Sequence, residues 1–353
     1  MMTSTTLTDL RTITLIPGDG IGPEITEATL RVLDAVGFRA TWDLQPAGAA
    51  VAEAEGTPLP ARVLESIATT GVALKGPVTT PVGEGFRSIN VALRQAFDLY
   101  ANIRPCRSFP GLALPFSDVD VVLFRENTED LYAGIEFAPG APEVADLVPD
   151  GAAVSIKPIT AAGSRRIAEA AFDYARANGR RKVTVVHKAN IMKETDGLFL
   201  RVTREVAAEK GPDIAFDEMI VDAACMRFVT DPSFFDVIVT ENLYGDILSD
   251  LAAGLIGGLG LAPGANIGTT AAVFEAVHGS APDIAGLGIA NPTALVLSAA
   301  LMLRHLELPQ QAARIEGAVA RVIGEGRVLT RDLAGDGVAA STDAFTDALI
   351  AAL

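Results

Sequence analysis

An α/β fold with much parallel sheet is what this 353-residue sequence predicts, and three observations carry the prediction. Short β-branched runs alternate with longer amphipathic stretches along the chain. No internal repeat or low-complexity tract interrupts that alternation. With 49% hydrophobic and 20% charged residues, the chain has the apolar content of a soluble globular protein and the length for two domains and a sizeable core.

In order, Thr12–Ile16 reads as a strand, followed by a Gly-rich turn and a helix from Pro23 to about Val36. Further apolar strands are expected at Gly71–Leu74, Val119–Phe124, Lys182–His187, Asp217–Val221 and Val237–Thr240. Helical periodicity recurs over Ser164–Asn178, Leu198–Glu209, Thr293–Leu306 and Gln310–Ile323. Two stretches break the pattern. Pro139–Gly151 is rich in Pro, Gly, Ala and Asp, and is flanked by strand-like Gly134–Phe137 and Ala153–Lys157. It reads as a long hairpin or arm, suited to pairing with a second protomer. Gly254–Gly260 is glycine-dense and apolar, which suggests close backbone packing near a domain junction.

A net charge of −16 and a pI near 4.6 argue against nucleic acid or an anionic membrane as partner. Any anionic ligand must be met by locally clustered Arg or Lys. Two cysteines, Cys106 and Cys225, cannot build a disulfide framework. The N-terminus lacks the basic region and apolar stretch of a signal peptide, and the longest apolar runs fall short of a membrane span. A soluble, cytoplasmic protein is the expectation.

The most informative segment is Asn242-Leu-Tyr-Gly-Asp-Ile-Leu-Ser-Asp250. Asp246 and Asp250 stand four apart in a helical stretch, so both carboxylates point the same way, at a cost of about 0.2–0.5 kcal/mol in a bare helix. Apolar neighbours argue against a plain solvated face. A hard divalent cation with oxygen ligands would remove the conflict. An N-terminal turn that favours acids for its dipole explains Asp246 but not Asp250.

Other motifs are individually less specific. Gly18-Asp-Gly-Ile-Gly22 invites a dinucleotide fingerprint but fails on spacing, because the third glycine would fall at Pro23; a tight strand-to-helix turn is the better reading. Arg94, Arg104 and Arg125 are placed either for ordinary ion pairing or, together, to clamp a polycarboxylate. Lys188 ends an apolar strand, where open α/β sheets place ligands, and suits proton transfer as well as it suits a surface position. His187 faces the other side of that strand and reads as structural. The loop His278-Gly-Ser-Ala-Pro-Asp-Ile-Ala-Gly286 offers small residues and backbone N–H groups to a phosphate, with Asp283 available for ribose hydroxyls.

Taken together, these segments resemble the β-decarboxylating dehydrogenases: isocitrate, 3-isopropylmalate, homoisocitrate and tartrate dehydrogenases. The likeness runs from Ile16-Pro-Gly-Asp-Gly-Ile-Gly-Pro23 to Thr342-Asp-Ala-Phe-Thr346. It implies a non-Rossmann α/β fold with two domains around a large mixed sheet. Residues 1–99 and 257–353 would form a discontinuous cofactor-binding domain, and residues 100–256 a smaller domain with the dimer interface and a clasp at about 134–157. It also implies a homodimer whose two active sites each draw on both subunits. By position, Arg94, Arg104 and Arg125 would bind the malate-like carboxylates. Asp246 and Asp250, with Asp222 from the partner subunit, would hold Mg²⁺ or Mn²⁺. Tyr132 and the partner's Lys188 would be the acid–base pair, with Asn190 nearby. Thr79, Thr80, His278, Gly279, Ser280, Ala281, Asp283, Ile284 and Asn291 would line the cofactor site.

Within the family, Ser88-Ile-Asn-Val-Ala-Leu-Arg94 looks like the isocitrate member, because Ser88 and Asn90 can donate to a γ-carboxylate where isopropylmalate enzymes carry apolar residues. Asp283-Ile284 looks like the NAD-type pair, since a carboxylate repels a 2′-phosphate. Arg331 departs from that picture, lying where NADP enzymes contact the phosphate. The expected activity is therefore NAD-dependent oxidative decarboxylation of isocitrate. The alternatives are homoisocitrate or 3-isopropylmalate dehydrogenase and a non-catalytic regulatory subunit.

Overall fold

The structure, a computed structural model, describes residues 10–79 and 88–353. The chain opens on β1 (Thr12–Ile16), whose last four side chains are buried. It turns through glycines into α1 (Gly22–Ala35), where Pro23 occupies the first turn and needs no N–H. β2 (Thr41–Leu44) pairs parallel with β1. α2 (Ala49–Glu55) and α3 (Ala61–Thr70) follow; α3 stops at Gly71, which takes the left-handed conformation at φ 70°. β3 (Val72–Lys75) then pairs parallel on the other side of β1, and α4 (Ile89–Ala96) completes the N-terminal part.

The middle of the chain begins with β4 (Ala101–Arg107) and β5 (Asp120–Glu126), an antiparallel pair. The predicted excursion is a hairpin of β6 (Ile135–Phe137) and β7 (Val154–Ile156), paired antiparallel in a separate two-stranded sheet. α5 (Ala161–Ala177) starts at Thr160, whose hydroxyl accepts from Gly163 N–H at 3.0 Å. β8 (Lys182–His187), α6 (Thr195–Lys210), β9 (Ala215–Ile220), α7 (Val221–Thr230), β10 (Val237–Thr240) and α8 (Asn242–Leu255) continue the alternation. The C-terminal part returns with the antiparallel pair β11 (Pro263–Ile267) and β12 (Ala272–Ala276). The helices α9 (Thr293–His305), α10 (Pro309–Glu325) and α11 (Thr342–Ala352) end the chain. α9 is apolar on nearly every side and is buried accordingly.

The chain divides into two compact units. One comprises the N-terminal part up to Phe97, the short stretch Ser108–Ser117 and everything from Ile256 onward. Its strands run β2-β1-β3-β12-β11, parallel except at β11. The other comprises Asp98–Arg107 and Asp118–Leu255, with strands in the order β4-β5-β10-β8-β9, parallel except at β4. The boundary after Leu255 falls inside the glycine-dense segment. Among the described residues, no helix is long and apolar enough to cross a membrane.

The second unit's four parallel strands all point their carboxyl ends the same way, and each ends at a predicted site residue. β5 carries Arg125, β8 runs into Lys188, β9 into Asp222, and β10 into the helix bearing Asp246 and Asp250. Clustering of this kind at the carboxyl edge is what the topology of an open parallel sheet favours.

Candidate active site

In the second unit, Arg104 of β4 and Arg125 of β5 reach the acids of α8. Arg125, 1% exposed, bonds Asn242 Oδ1 through Nε at 2.9 Å and Asp246 through a second nitrogen. Gly245 makes this possible, because a Cβ there would stand 2.5 Å from Arg125 Cγ. The remaining nitrogen, Nη2, is buried without a partner among the described residues, a donor left for an incoming carboxylate. Arg104 pairs with Asp250 at 3.3 Å and Asp246 at 3.5 Å, and also bonds Ser249. The like-charge conflict read from the sequence is thus relieved in part inside the chain, by two guanidinium groups more than a hundred residues away in sequence.

Tyr132 donates its hydroxyl to Asp246, and Arg125 stacks 4.9 Å from the centre of its ring. Burial raises the Tyr132 pKa, as does the bond to the Asp246 carboxylate. Burial also raises the pKa of Asp250, with Asp246 adding repulsion, and Arg104 pulls against both. Two carboxylates on one helical face, one of them disfavoured as an anion by burial and by its neighbour, form a hard-oxygen donor pair suited to Mg²⁺ or Mn²⁺. Asp222 is not part of this cluster. It stands exposed on α7, bonded to Lys188, and that bond lowers its pKa. Among the described residues, no group of three His, Cys, Asp or Glu side chains is arranged to hold a metal. Lys188 and Asp222 therefore form one cluster, and Tyr132, Arg104, Arg125, Asp246 and Asp250 another. Asn190 is exposed two residues beyond Lys188.

The first unit holds the remaining predicted residues. Asp19 accepts from Ala49 N–H at 3.0 Å and Thr79 N–H at 2.7 Å, and the Thr79 hydroxyl meets Ser280 Oγ at 2.5 Å. Ile21 N–H donates to Ser280 O at 2.9 Å. The glycine run is explained by this contact: a Cβ on Gly20 (φ 59°) would lie 2.0 Å from Ser280 O. The failed dinucleotide fingerprint is a backbone-to-backbone clasp between the 17–22 turn and the 278–281 loop. Thr80 lies outside the described residues.

A cavity of about 740 Å³ opens beside that loop, lined by His278, Gly279, Ala281, Asp283, Ile284 and Asn291 among others, with Arg331 and Asp332 also on its wall. Asn291 donates to Asp332 at 2.9 Å and accepts from Thr293 N–H at 3.0 Å, which fixes its amide. His278 Nε2 is buried without a partner among the described residues, and burial lowers the pKa of the ring, which favours the neutral imidazole. The volume suits a dinucleotide portion with its adenosine.

Ser88 is exposed just before α4, and Asn90 and Arg94 lie within that helix. Asn90 Oδ1 is buried with no partner among the described residues. Arg94 is buried 3.8 Å from Glu275, which also takes Lys75 at 2.6 Å and Asn266 at 2.8 Å. Burial pushes the Glu275 carboxyl up, but the two cations outweigh it and hold the group down to about 2. Sequence reading missed Lys75 and Glu275, although a lysine ending a buried strand signals a buried acid. A depressed carboxylate adds stability above its unfolded pKa near 4.5, and that stability is lost as pH falls through about 2. Glu275→Gln should cost about 3–5 kcal/mol at pH 7, since it strands two buried cations. Denaturant unfolding checks this, and an unchanged midpoint would contradict it.

The doubly wound units, the acid-and-arginine cluster and the nucleotide-sized cavity define a class of dehydrogenase. A family model described as isocitrate/isopropylmalate dehydrogenase matches residues 12–349. The chain belongs to that family. It is similar to the alpha chain of a probable NAD isocitrate dehydrogenase, mitochondrial, of Caenorhabditis elegans, at 53% identity over 94% of this chain and 90% of that one. It is also similar to a regulatory chain of the NAD isocitrate dehydrogenase, mitochondrial, of Dictyostelium discoideum, at 50% identity over 98% of this chain and 93% of the other. Among solved structures, the isocitrate dehydrogenase from Methylococcus capsulatus superposes with a TM-score of 0.91 at 56% identity, covering 97% of this chain and 99% of that one. Two expectations need correction. The cytoplasmic location does not stand, because the curated relatives are mitochondrial proteins by name, and charge, cysteine count and hydropathy carry no compartment address. The homodimer is not supported either, since those relatives are named as subunits, one alpha and one regulatory.

Proposed function

We propose that this chain catalyses the NAD-dependent oxidative decarboxylation of isocitrate to 2-oxoglutarate and CO₂. The single observation that carries the chemistry is the meeting of Arg104, Arg125, Tyr132, Asp246 and Asp250 at the carboxyl ends of the strands. Basic groups for a polycarboxylate, a hydroxyl for proton transfer and a hard-oxygen donor pair stand within bonding distance there. The first unit would be the cofactor-binding domain and the second would carry the reaction and the clasp.

Arg94, Arg104 and Arg125 would hold the malate-like carboxylates, with Ser88 and Asn90 donating to the γ-carboxylate that distinguishes isocitrate from isopropylmalate. Lys188 of a second chain would receive the proton of the C2 hydroxyl as the carbonyl forms, and Tyr132 would return a proton to C3 once CO₂ has left. Asp246 and Asp250, joined by Asp222 of a second chain, would hold Mg²⁺ or Mn²⁺, which would polarise the C2 oxygen while bound NAD accepts the hydride.

Assembly follows from the surface of the second unit. Asp222, Met226 and Val229 fall on one face of α7, and Met226 and Val229 are more than half exposed. Ile247 is equally exposed on α8 beside Asp250, and Ile135 and Ile156 are exposed on the hairpin. Apolar exposure of this extent next to a lone ligand suits a second chain that completes the metal site. That chain would be a copy of this one or a related subunit. The name of the Dictyostelium relative favours one second reading, a regulatory role without turnover. Retention of Tyr132, Lys188, Asp222, Asp246 and Asp250 weighs against it, and turnover by the purified chain alone would exclude it.

Asp283 supports NAD as the cofactor. It lines the same cavity as Arg331, and a carboxylate there would accept from ribose hydroxyls and repel a 2′-phosphate. Asp283→Lys should move the ratio of kcat/KM for NAD over NADP by at least about tenfold toward NADP, a difference of about 1.4 kcal/mol. A ratio unchanged within twofold would mean that Asp283 does not read the ribose. The substrate assignment is tested by comparing isocitrate, homoisocitrate and 3-isopropylmalate with Mn²⁺ and NAD. Preference for another of these acids would overturn the roles of Ser88 and Asn90.

A further inference from the structure

Lys188 sits on a short turn between β8 and α6, and a lysine that moves a proton must be held to within a fraction of its reach. Several of the turn's backbone groups have fixed partners. Lys188 O accepts from Ile191 N–H at 2.9 Å and Met192 N–H at 3.0 Å, and His187 Nδ1 accepts from Ala189 N–H at 3.0 Å. Lys188 N–H itself donates to Asp196 Oδ2 at 2.6 Å.

Asp196 is a fully buried acid in the first turn of α6. Its other oxygen accepts from Lys157 Nζ at 2.6 Å, and Lys157 also donates to Glu241 Oε2 at 2.7 Å while lying 4.7 Å from the Tyr244 ring centre. A buried carboxylate is expensive without a counter-ion, and Lys157 supplies it. An acid that served only the helix dipole would do so at the surface, with no buried lysine and no bond to the turn. The cost of burying Asp196 is repaid in one place that matters to chemistry: the backbone of Lys188.

We propose that Asp196 is the positioning residue for Lys188, fixing the Lys188–Asn190 turn through the Lys188 N–H and neutralised behind by Lys157. This rests on the reading of Lys188 as the proton-transfer group. Asp196→Asn keeps an oxygen that accepts from Lys188 N–H, and Lys157 keeps its hydrogen bond to Glu241. Asp196→Glu keeps the charge but displaces the acceptor by one methylene. Asp196→Ala removes the acceptor.

In the full assembled enzyme, kcat of the Asn variant should stay within about fivefold of wild type. The Glu and Ala variants should lose about 10–100-fold in kcat, the scale of a misplaced catalytic group, with KM for isocitrate within threefold. Amide hydrogen exchange at Lys188 should quicken in the Ala and Glu variants only. If the Ala variant fails to fold, the comparison of Asn with Glu decides. Equal kcat per folded molecule in Asn and Glu, or a KM effect without a kcat effect, would overturn the proposal. Lys188→Met is run alongside. If it retains turnover, the reading of Lys188 falls, whereas an inactive Lys188→Met beside a fully active Asp196→Glu removes the role of Asp196 alone.

Discussion

Asp246→Asn should lower turnover by about a thousandfold or more and abolish the dependence of the remaining rate on Mn²⁺. The carboxylate is one of two oxygens on the same face of α8 offered to the cation, and Lewis-acid stabilisation of a developing carbonyl contributes several kcal/mol. It has a second duty. Arg125 is 1% exposed, and Asp246 is an anion bonded to it, so the amide substitution leaves a buried guanidinium undercompensated. Stability should fall together with activity, by about 1–3 kcal/mol. Asp250 separates the two effects. Its side chain is 55% exposed and its arginine is shared with Asp246, so Asp250→Asn should weaken metal affinity while the melting temperature holds. Wild-type turnover and metal affinity in both variants would remove the metal assignment.

Lys188→Met should lower kcat by about 10²–10⁴-fold, the usual contribution of a positioned acid–base group, with KM for isocitrate changed only a few-fold. The contrast between the two parameters is the point, because a lysine that only attracted the anionic substrate would raise KM instead. The substitution also releases Asp222 from the bond that lowers its pKa. As that depressed pKa returns toward its ordinary value, Asp222 should titrate at a higher pH, and metal affinity should begin to fall at a correspondingly higher pH. Partial recovery of the rate by small primary amines would locate the loss in proton transfer. A KM rise with kcat intact would contradict the assigned role.

Much of this site was legible in the sequence, and what was not has a common cause. β1, β8 and β10 fall on the residues their apolar runs marked, and the spacing of Asp246 and Asp250 placed both on one helix, where they are. The Pro/Gly-rich excursion is a hairpin, as its strand-like flanks implied. β4 escaped notice because its run holds Asn102, Arg104, Pro105 and Arg107, and no pattern of apolar residues survives that composition. Those polar residues are tolerated in a strand because α8 supplies acids to Arg104 from residues 246 and 250. β11 was hidden by Pro263, Gly264 and Asn266, and β12 by Glu275 within its apolar run.

The buried charges follow the same rule. Lys75, Lys157 and Glu241 each close a strand-like run, whereas Glu275 lies inside one and Asp196 follows a polar stretch. Their partners lie far off in sequence, and only folding shows which acid meets which lysine. Burial raises Glu241 to about 8 against the pull of Lys157, which no local pattern announces.

The central claim is that this chain, with a second chain completing its metal site, oxidises and decarboxylates isocitrate with NAD. The most direct test is to incubate purified protein with isocitrate, NAD and Mn²⁺ and to measure NADH, CO₂ and 2-oxoglutarate together. The account predicts the three products in equal amounts, at a rate that vanishes on chelation and is much lower with homoisocitrate or 3-isopropylmalate. NADH without CO₂, or no turnover from a folded and metal-loaded protein, would contradict it.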